Sequence, residues 1–162
     1  AKSIGRPYVE IIGSGRGASP AAVQGRADIT TIPSTVNAAK QAYNMAGVTP
    51  SDIDFAEVHD CFTIAEIIDT EDLGFFEKGK AASRIREGDT KLTGRIPINP
   101  SGGLKAKGHP IGATGIGQAV EVFEQFTGKA GQRTIKDAEI ALTHNFGATG
   151  ASAAVHIFKK VK

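Results

Sequence analysis

The sequence predicts an α/β fold in which a mixed β-sheet carries helices on both faces. Runs rich in β-forming residues alternate with segments of helical periodicity in the order β-α-β-α-loop-α-β-β. The last two runs are separated by a short turn, which indicates a hairpin and an antiparallel last strand. Hydrophobic residues make up 40% of the chain and charged residues 22%, as in globular proteins. We therefore expect one α/β domain over residues 1–162.

The first half of the chain contains two strand–helix pairs. Residues 8–17, "YVEIIGSGRG", are β-rich and stop in a glycine-rich turn, which predicts a strand. Residues 34–47, "STVNAAKQAYNMAG", have helical spacing and a stop at Gly47. Residues 52–60, "DIDFAEVHD", predict the second strand, and residues 63–74 predict the second helix. Thr63 and Glu66 have the spacing of a capping box, and Gly74 is expected to end that helix.

The second half begins with a charged, turn-rich stretch over residues 75–110, which predicts a long surface excursion. A third helix is expected from Pro110 to just before Gly128, and its first turns contain several glycines. Because glycine costs helix stability, we expect another backbone or a ligand to approach this helix closely. One apolar face is predicted to turn inward, with Ile116, Ala119, Val120 and Phe123. Residues 138–147 and 150–160 complete the sheet.

Composition excludes several classes of partner. The formal net charge is +2, and the basic residues are dispersed, so neither charge nor aromatic interleaving indicates a nucleic-acid surface. The longest apolar runs fall well short of the roughly 20 residues of a membrane span. A single cysteine cannot form an internal disulfide. These features predict a cytoplasmic protein without a membrane span.

The turn "HDCF" is the first candidate site. The second strand ends near His59, so His59 and Cys61 lie at the turn between this strand and the second helix, at the sheet edge where open α/β folds bind ligands. A helix amino end favours a thiolate, so we expect the pKa of Cys61 to be depressed. A cysteine that merely fills space would more naturally lie within the strand or the helix.

Two further segments carry polar residues at turns. "NPSGGLKAKGHPIGATGIG", residues 99–117, holds Gly108 and His109 just before the third helix. His109, just before Pro110, would be held rigidly at the amino end of that helix. A solvated loop histidine is the simpler interpretation, and the spacing alone does not exclude it. "THNFGATGAS", residues 143–152, places His144, Asn145 and Gly147 at a strand end. By itself that segment is more typical of a hairpin with a polar tip.

Together, "HDCF", "NPSGG…GHPIGATG" and "HNFGATGAS" resemble the carboxyl-terminal half of a thiolase. More narrowly, these motifs look like those of the sterol-carrier-protein type of thiolase and its archaeal acetyl-CoA acetyltransferase relatives. The resemblance covers nearly the whole chain. It implies a half of a layered fold, an oligomer, and Claisen condensation or its thiolytic reverse on acyl-CoA.

The resemblance also implies roles for individual residues. His109 would activate a nucleophilic cysteine and help to bind the thioester oxygen. His59 would hold a water that completes an oxyanion site, and Cys61 would be the acid/base that moves the substrate α-proton. Phe62 would wall the acyl pocket, and Gly108, His144, Asn145 and Gly147 would bind substrate. A coenzyme A thioester would be the substrate, and the resemblance implies neither a cofactor nor a metal.

The nucleophilic cysteine of thiolases lies in their amino-terminal half, and Cys61 is the single cysteine of this chain. We therefore expect an amino-terminal half as a separate subunit or as the missing part of a longer chain. The isolated chain is expected to be inactive. The remaining explanation for the missing nucleophile is that the protein has lost catalysis. Three alternatives stay open: a scaffold or acyl-CoA-binding subunit without turnover, a retro-aldolase subunit of the same fold, and a zinc site of His59, Cys61, His109 and His144.

Overall fold

A computed structural model describes Gly5 and residues 8–161. Four strands form one sheet in the order β1-β4-β3-β2, with β1 Tyr8–Ala18, β2 Phe55–Glu57, β3 Ile140–Gly147 and β4 Ser152–Val161. β2 runs parallel to β3, whereas β4 is antiparallel to both β3 and β1. The mixed sheet and the antiparallel last strand confirm the predicted fold class.

In the described part of the chain, five α-helices accompany the sheet: α1 Pro33–Ala46, α2 Thr63–Asp72, α3 Ala81–Glu87, α4 Gly103–Lys107 and α5 Thr114–Phe126. Alternation along the strands separates two cores. Leu142 and Ile157 pack in the core that includes α1, while Ala141 and Phe158 pack in the core that includes α5. The helices therefore cover both faces, as the sequence predicted. Among the described residues, no helix is long and apolar enough to cross a membrane.

Glycines on β1 bring α1 unusually close to the sheet. A Cβ atom at Gly15 would lie 1.9 Å from the carbonyl oxygen of Ala38, and one at Gly17 would lie 1.9 Å from that of Ser34. The backbones of strand and helix are thus in direct contact, which no larger residue permits. α1 ends as predicted at Gly47, which adopts the left-handed conformation that glycine tolerates.

The excursion over residues 75–110 is more ordered than predicted. It contains α3 and α4, and Ile98 forms a bridge with Ala56 of β2. Asn99 ties it to the sheet again, because its side-chain oxygen accepts a hydrogen bond from the N–H of Val58 at 2.8 Å. This stretch therefore packs along the edge of the sheet and reaches the end of β2.

The predicted capping box of α2 is wrong. Phe62 occupies the N-cap and Thr63 is already the first helical residue, so the capping residue is an apolar side chain. The carboxylate of Glu66 instead lies 3.4 Å from the side-chain nitrogen of Asn99. The helix does end near Gly74, whose φ of 83° is left-handed.

The predictions for the third helix need two corrections. Residues 110–113 form a turn, and α5 starts only at Thr114. The supposed inward face is largely exposed, since Ile116, Val120 and Phe123 are 70%, 49% and 42% exposed. Within the described part of the chain, a Cβ atom at Gly112 would meet open space. Close approach from within this chain therefore does not explain that glycine.

Candidate active site

An open groove of about 770 Å³ lies between α5 and the sheet. It is lined by residues that the sequence singled out and by apolar neighbours: His59, Cys61, Phe62, His109, Asn145 and Gly147, with Ile111, Ile116, Phe146 and Phe158 among the others. The three segments that the sequence singled out thus meet at one place. A mostly apolar groove with a few convergent polar groups is typical of a ligand site.

The first segment reaches the groove because β2 ends at Glu57 and α2 begins at Thr63. The turn between them holds His59 and Cys61 at the carboxyl end of β2, as predicted. Asp60, between those two residues, is buried and turns away from the groove. Its carboxylate accepts hydrogen bonds from the N–H groups of Leu104 at 2.7 Å and Lys105 at 3.3 Å. Asp60 thereby fastens α4 to this turn.

Two features of the "NPSGG" segment serve that attachment. A Cβ atom at Gly103 would lie 2.3 Å from a carboxylate oxygen of Asp60, so glycine is needed there. Glu57, also buried, accepts hydrogen bonds from the N–H and the hydroxyl of Ser101 at 3.0 and 2.6 Å, and from Lys107 at 3.2 Å. Burial raises the pKa of Glu57, and these three donors act against that rise. The two carboxylates place the segment that leads to His109.

His109 stands edge-on to His59, with ring centroids 4.9 Å apart. Its Nδ1 atom lies 2.7 Å from the hydroxyl oxygen of Thr114, which lies 3.2 Å from the carbonyl oxygen of Pro110. The carbonyl can only accept, so the hydroxyl donates to it and accepts from the Nδ1–H of His109. In the neutral ring, Nε2 of His109 is then left as the acceptor, which is the role of a general base.

His59 is buried, with its Nδ1 atom 3.0 Å from the side-chain oxygen of Asn145. The ring of Phe146 lies 4.5 Å away between centroids. Burial lowers the pKa of His59, and the hydrogen bond to Asn145 acts in the opposite direction. His59 is therefore a neutral imidazole at neutral pH.

The expectation of a depressed pKa for Cys61 is wrong. Burial raises the pKa of the thiol, and the hydrogen bond from the N–H of Phe62 only partly offsets this. The thiol is half-buried beside the groove, and the nearby carboxylate of Asp60 also disfavours a negative charge on the sulfur. Desolvation thus outweighs the effect of the helix end, and the protonated thiol is favoured.

Two of the residues proposed to bind substrate lie elsewhere. His144 is fully buried on the α1 side of β3, and its Nε2 atom is 2.9 Å from the hydroxyl of Thr35. Gly108 ends α4 with a φ of 88° and lies outside the lining of the groove. Alternation explains the first case, since Asn145 and His144 must point to opposite faces of a strand. The sequence-based expectation that His144 and Gly108 contact a ligand in this groove is therefore corrected.

The position of His144 also removes the alternative of a four-residue zinc site. Its side chain is on the opposite face of the sheet from His109, so the four side chains do not converge. Within the described residues, no three His, Cys, Asp or Glu side chains have the arrangement of a metal site.

Sequence reasoning missed several residues that hold the site. Gln118 is fully buried and donates to the carbonyl oxygen of His144 at 3.1 Å, and it also contacts the side chain of Asn145. Thr114 and Gln118 are four residues apart on one face of α5, which is the spacing that could have indicated a shared role. His156 of β4 lines the groove as well.

Comparison with known proteins identifies the kind of chain to which this site belongs. The family described as thiolase C-terminal domain-like matches residues 15–160. An acetyl-CoA acetyltransferase of Methanothermobacter thermautotrophicus is 54% identical over 152 residues, which cover 94% of this chain and 40% of that protein. Human sterol carrier protein 2 is 46% identical over 114 residues, covering 70% of this chain and 21% of that protein.

Solved structures agree on the fold. An Ltp2-ChsH2(DUF35) aldolase matches with a TM-score of 0.85 and 27% identity, over 94% of this chain and 40% of that one. A monomeric SCP2-thiolase-like protein type 1 from Mycobacterium smegmatis matches in fold, with a TM-score of 0.62 and 22% identity, over 93% of this chain and 29% of that one. The chain therefore corresponds to less than half the length of each of these proteins.

Proposed function

Because this chain belongs to the thiolase C-terminal domain-like family, we propose that it acts as the carboxyl-terminal half of an acyl-CoA acyltransferase. The reaction is the Claisen condensation of two acyl groups or its thiolytic reverse. One observation carries the proposal: His59, Cys61 and His109 come from two distant segments and line the same groove. The nucleophilic cysteine comes from an amino-terminal half, since Cys61 is the single cysteine here.

Each of the three side chains has a role that suits its surroundings. His109, with Nε2 as acceptor, takes the proton of the incoming nucleophilic cysteine, and later helps to bind the thioester oxygen. His59 holds a water whose second proton faces the developing enolate oxygen. Cys61 removes the α-proton in condensation, and in the reverse direction its thiol returns a proton to the enolate as the carbon–carbon bond breaks.

The substrate is a coenzyme A thioester, and no further cofactor takes part in the proposal. Phe62 is 68% exposed at the groove and walls the acyl pocket. Asn145 and Gly147 lie on the opposite, sheet-side wall. The amino-terminal half closes the groove, and the active species is an oligomer in the cytoplasm.

The test is α-proton exchange on acetyl-CoA by this chain assembled with an amino-terminal thiolase half, which does not require the complete condensation. The corresponding region of the Methanothermobacter acetyltransferase is a suitable partner. We expect Cys61→Ser to lose nearly all exchange while the circular dichroism spectrum is unchanged. Ser83→Ala on α3, an exposed position, is the matched control. Exchange by Cys61→Ser at the wild-type rate would remove Cys61 from the mechanism.

Native pull-down from the source cells identifies the partner. A separate cysteine-bearing amino-terminal half would establish a split enzyme. One longer chain that contains this sequence would mean that the two halves are covalently joined. Recovery of neither, together with no exchange in the reconstituted assembly, would favour a scaffold without turnover.

A retro-aldol cleavage of a CoA-linked side chain is the second candidate. The specific observation in its favour is the similarity to the Ltp2-ChsH2(DUF35) aldolase at a TM-score of 0.85. Both reactions need a stabilised enolate, so the same groove suits either. Product analysis separates them, because retro-aldol cleavage releases a ketone or aldehyde whereas thiolysis consumes free coenzyme A and forms a second thioester.

A further inference from the structure

A line of amide hydrogen bonds runs beneath the groove and ends at His59. The side-chain nitrogen of Gln118 donates to the backbone carbonyl oxygen of His144 at 3.1 Å. The side-chain oxygen of Gln118 accepts from the side-chain nitrogen of Asn145. The side-chain oxygen of Asn145 then lies 3.0 Å from Nδ1 of His59. The first of these three hydrogen bonds has a backbone acceptor, and the other two join side chains.

The backbone end of this line determines the direction of every bond in it. A carbonyl oxygen can only accept, so Gln118 must turn its NH₂ group towards His144 and its oxygen towards Asn145. Asn145 must then present its NH₂ group to Gln118 and its oxygen to His59. That oxygen also only accepts, so Nδ1 of His59 must carry the proton. In a neutral imidazole, Nε2 is consequently unprotonated.

We propose that Gln118 is a positioning residue, which through Asn145 holds His59 in the tautomer that has its proton on Nδ1. Gln118 is 0% exposed, so solvent cannot replace either of its hydrogen bonds. Reversing one amide would leave two acceptors or two donors face to face in a buried place, and this penalty keeps the line in one direction. Burial also lowers the pKa of His59, so a single proton is present on the ring.

The consequence for chemistry rests on the proposed function. A water held at an unprotonated Nε2 donates one proton to His59 and keeps the other for the enolate oxygen. With the opposite tautomer, Nε2–H would donate to that water and reverse its orientation. Thr114, one turn earlier on the buried face of α5, assigns the same tautomer to His109. One helix therefore sets both histidines with their Nε2 atoms as acceptors.

The tautomer is measured directly by two-bond ¹H–¹⁵N correlation spectroscopy of the ¹⁵N-labelled chain at neutral pH. The signals of His59 are assigned by their loss in His59→Gln. We expect Nδ1 of His59 to be protonated and Nε2 to be unprotonated in the wild type. In Gln118→Leu, Asn145 is released, and we expect a shift towards the Nε2–H form that a free neutral histidine prefers in water.

Two variants make this result specific. Gln125→Leu removes another buried glutamine of α5, whose partners are Glu121, the carbonyl of Arg133 and the N–H of Ile135, and it should leave the His59 signals unchanged. Gln118→Glu retains an oxygen that accepts from Asn145, and its carboxyl in protonated form retains a donor to the carbonyl oxygen of His144, so it should show the wild-type tautomer that Gln118→Leu loses. Nε2–H in the wild type, or an Nδ1–H form that persists in Gln118→Leu, would overturn the proposal.

The kinetic test uses the reconstituted assembly. We expect Gln118→Leu to lower the kcat of α-proton exchange roughly 100-fold, as for loss of one oxyanion donor, with little change in KM. Gln125→Leu should change neither the kcat nor the KM. An assembly in which the wild type exchanges no protons would count against the proposed function, whereas the tautomer measurement would stand independently of it.

Discussion

At the scale of single residues, the surroundings of a side chain decide its chemistry more than its place in a motif. Cys61 lies before a helix, where a thiolate would be favoured, yet α2 begins only at Thr63 and the thiol is half-buried. Burial therefore dominates and raises the pKa of Cys61. The resting form in this chain is the thiol, and removal of a substrate proton requires that the completed site first favour the thiolate.

The first prediction concerns the reactivity of that thiol. In the isolated chain, the rate of Cys61 alkylation by iodoacetamide should rise with pH around a midpoint higher than that of glutathione, since only the thiolate reacts. The measurement is a pH–rate profile followed by mass spectrometry. A midpoint equal to or lower than that of glutathione would show that the helix end prevails over burial.

Asp69 and His144 form a buried pair on the other side of the sheet from the groove. Nδ1 of His144 is 3.6 Å from a carboxylate oxygen of Asp69, which is too long for a hydrogen bond, and both side chains are 0% exposed. Burial raises the pKa of Asp69 well above 3.8 and lowers that of His144 from 6.5 to about 3. Burial therefore favours a neutral folded pair, with a protonated carboxyl at Asp69 and a neutral imidazole at His144.

The second prediction follows from proton counting. Above about pH 6.5, the unfolded pair has released both protons while the folded pair still holds one, so the free energy of unfolding should fall as pH rises. Asp69→Asn removes that proton from the count and should make the decline on the alkaline side shallower, leaving the contribution of groups such as Cys61, whose pKa burial also raises. Urea midpoints measured from neutral to alkaline pH test this. Equal pH slopes for the variant and the wild type would show that Asp69 is ionised in the folded chain.

At the scale of elements, small residues let strands and helices meet backbone to backbone. Gly13, Gly15 and Gly17 alternate along β1, so all three face α1. The sequence showed these glycines only as the turn that would end the strand. The strand instead continues to Ala18, because the glycines are accommodated by the helix that covers them.

The third prediction tests that contact. Gly15→Ala should lower the free energy of unfolding by about 1–3 kcal/mol, because its Cβ atom would overlap the backbone of Ala38. Gly25→Ala is the matched control, since the nearest atom to its Cβ, in Pro20, would be 3.8 Å away. Chemical denaturation measures both. A Gly15→Ala chain as stable as Gly25→Ala would mean that α1 can shift away from β1 at little cost.

At the scale of the whole molecule, α5 exposes apolar side chains on one face while it buries polar ones on the other. Its polar residues Gln118, Glu121 and Gln125 are buried, whereas Ile116, Val120 and Phe123 are exposed. An apolar surface of this kind usually meets another protein surface. The chain spans 40% of the length of the acetyltransferase that it resembles.

The fourth prediction concerns that surface. The isolated chain should self-associate, and Ile116→Lys should reduce the association without loss of fold, since Ile116 is 70% exposed. Met45→Lys, at a position 68% exposed on α1, should have no such effect. Sedimentation velocity at several concentrations gives the comparison. If Ile116→Lys associated as strongly as the wild type, the face of α5 would not be the surface involved.

The residues of the site show how far sequence reasoning reached. His59, Cys61 and His109 were found because they lie at strand ends or helix starts. Local residues such as glycine and proline indicate these positions in the sequence. Asp60 and Glu57 were missed because their partners, Leu104 and Ser101, are 44 residues away in sequence. Gln118 was missed because the sequence does not show that this glutamine is buried or that it contacts the side-chain amide of Asn145.

By itself, the sequence determined the α/β class, the antiparallel last strand and the turns where the candidate side chains lie, because these depend on local periodicity and turn residues. Only the tertiary structure decided that the thiol of Cys61 is held protonated, that His144 faces α1, and that the apolar side of α5 is exposed. The physical reason is the same in each case. Burial depends on which distant segments pack together, and burial in turn sets the pKa values, the hydrogen-bond partners and the exposed surface.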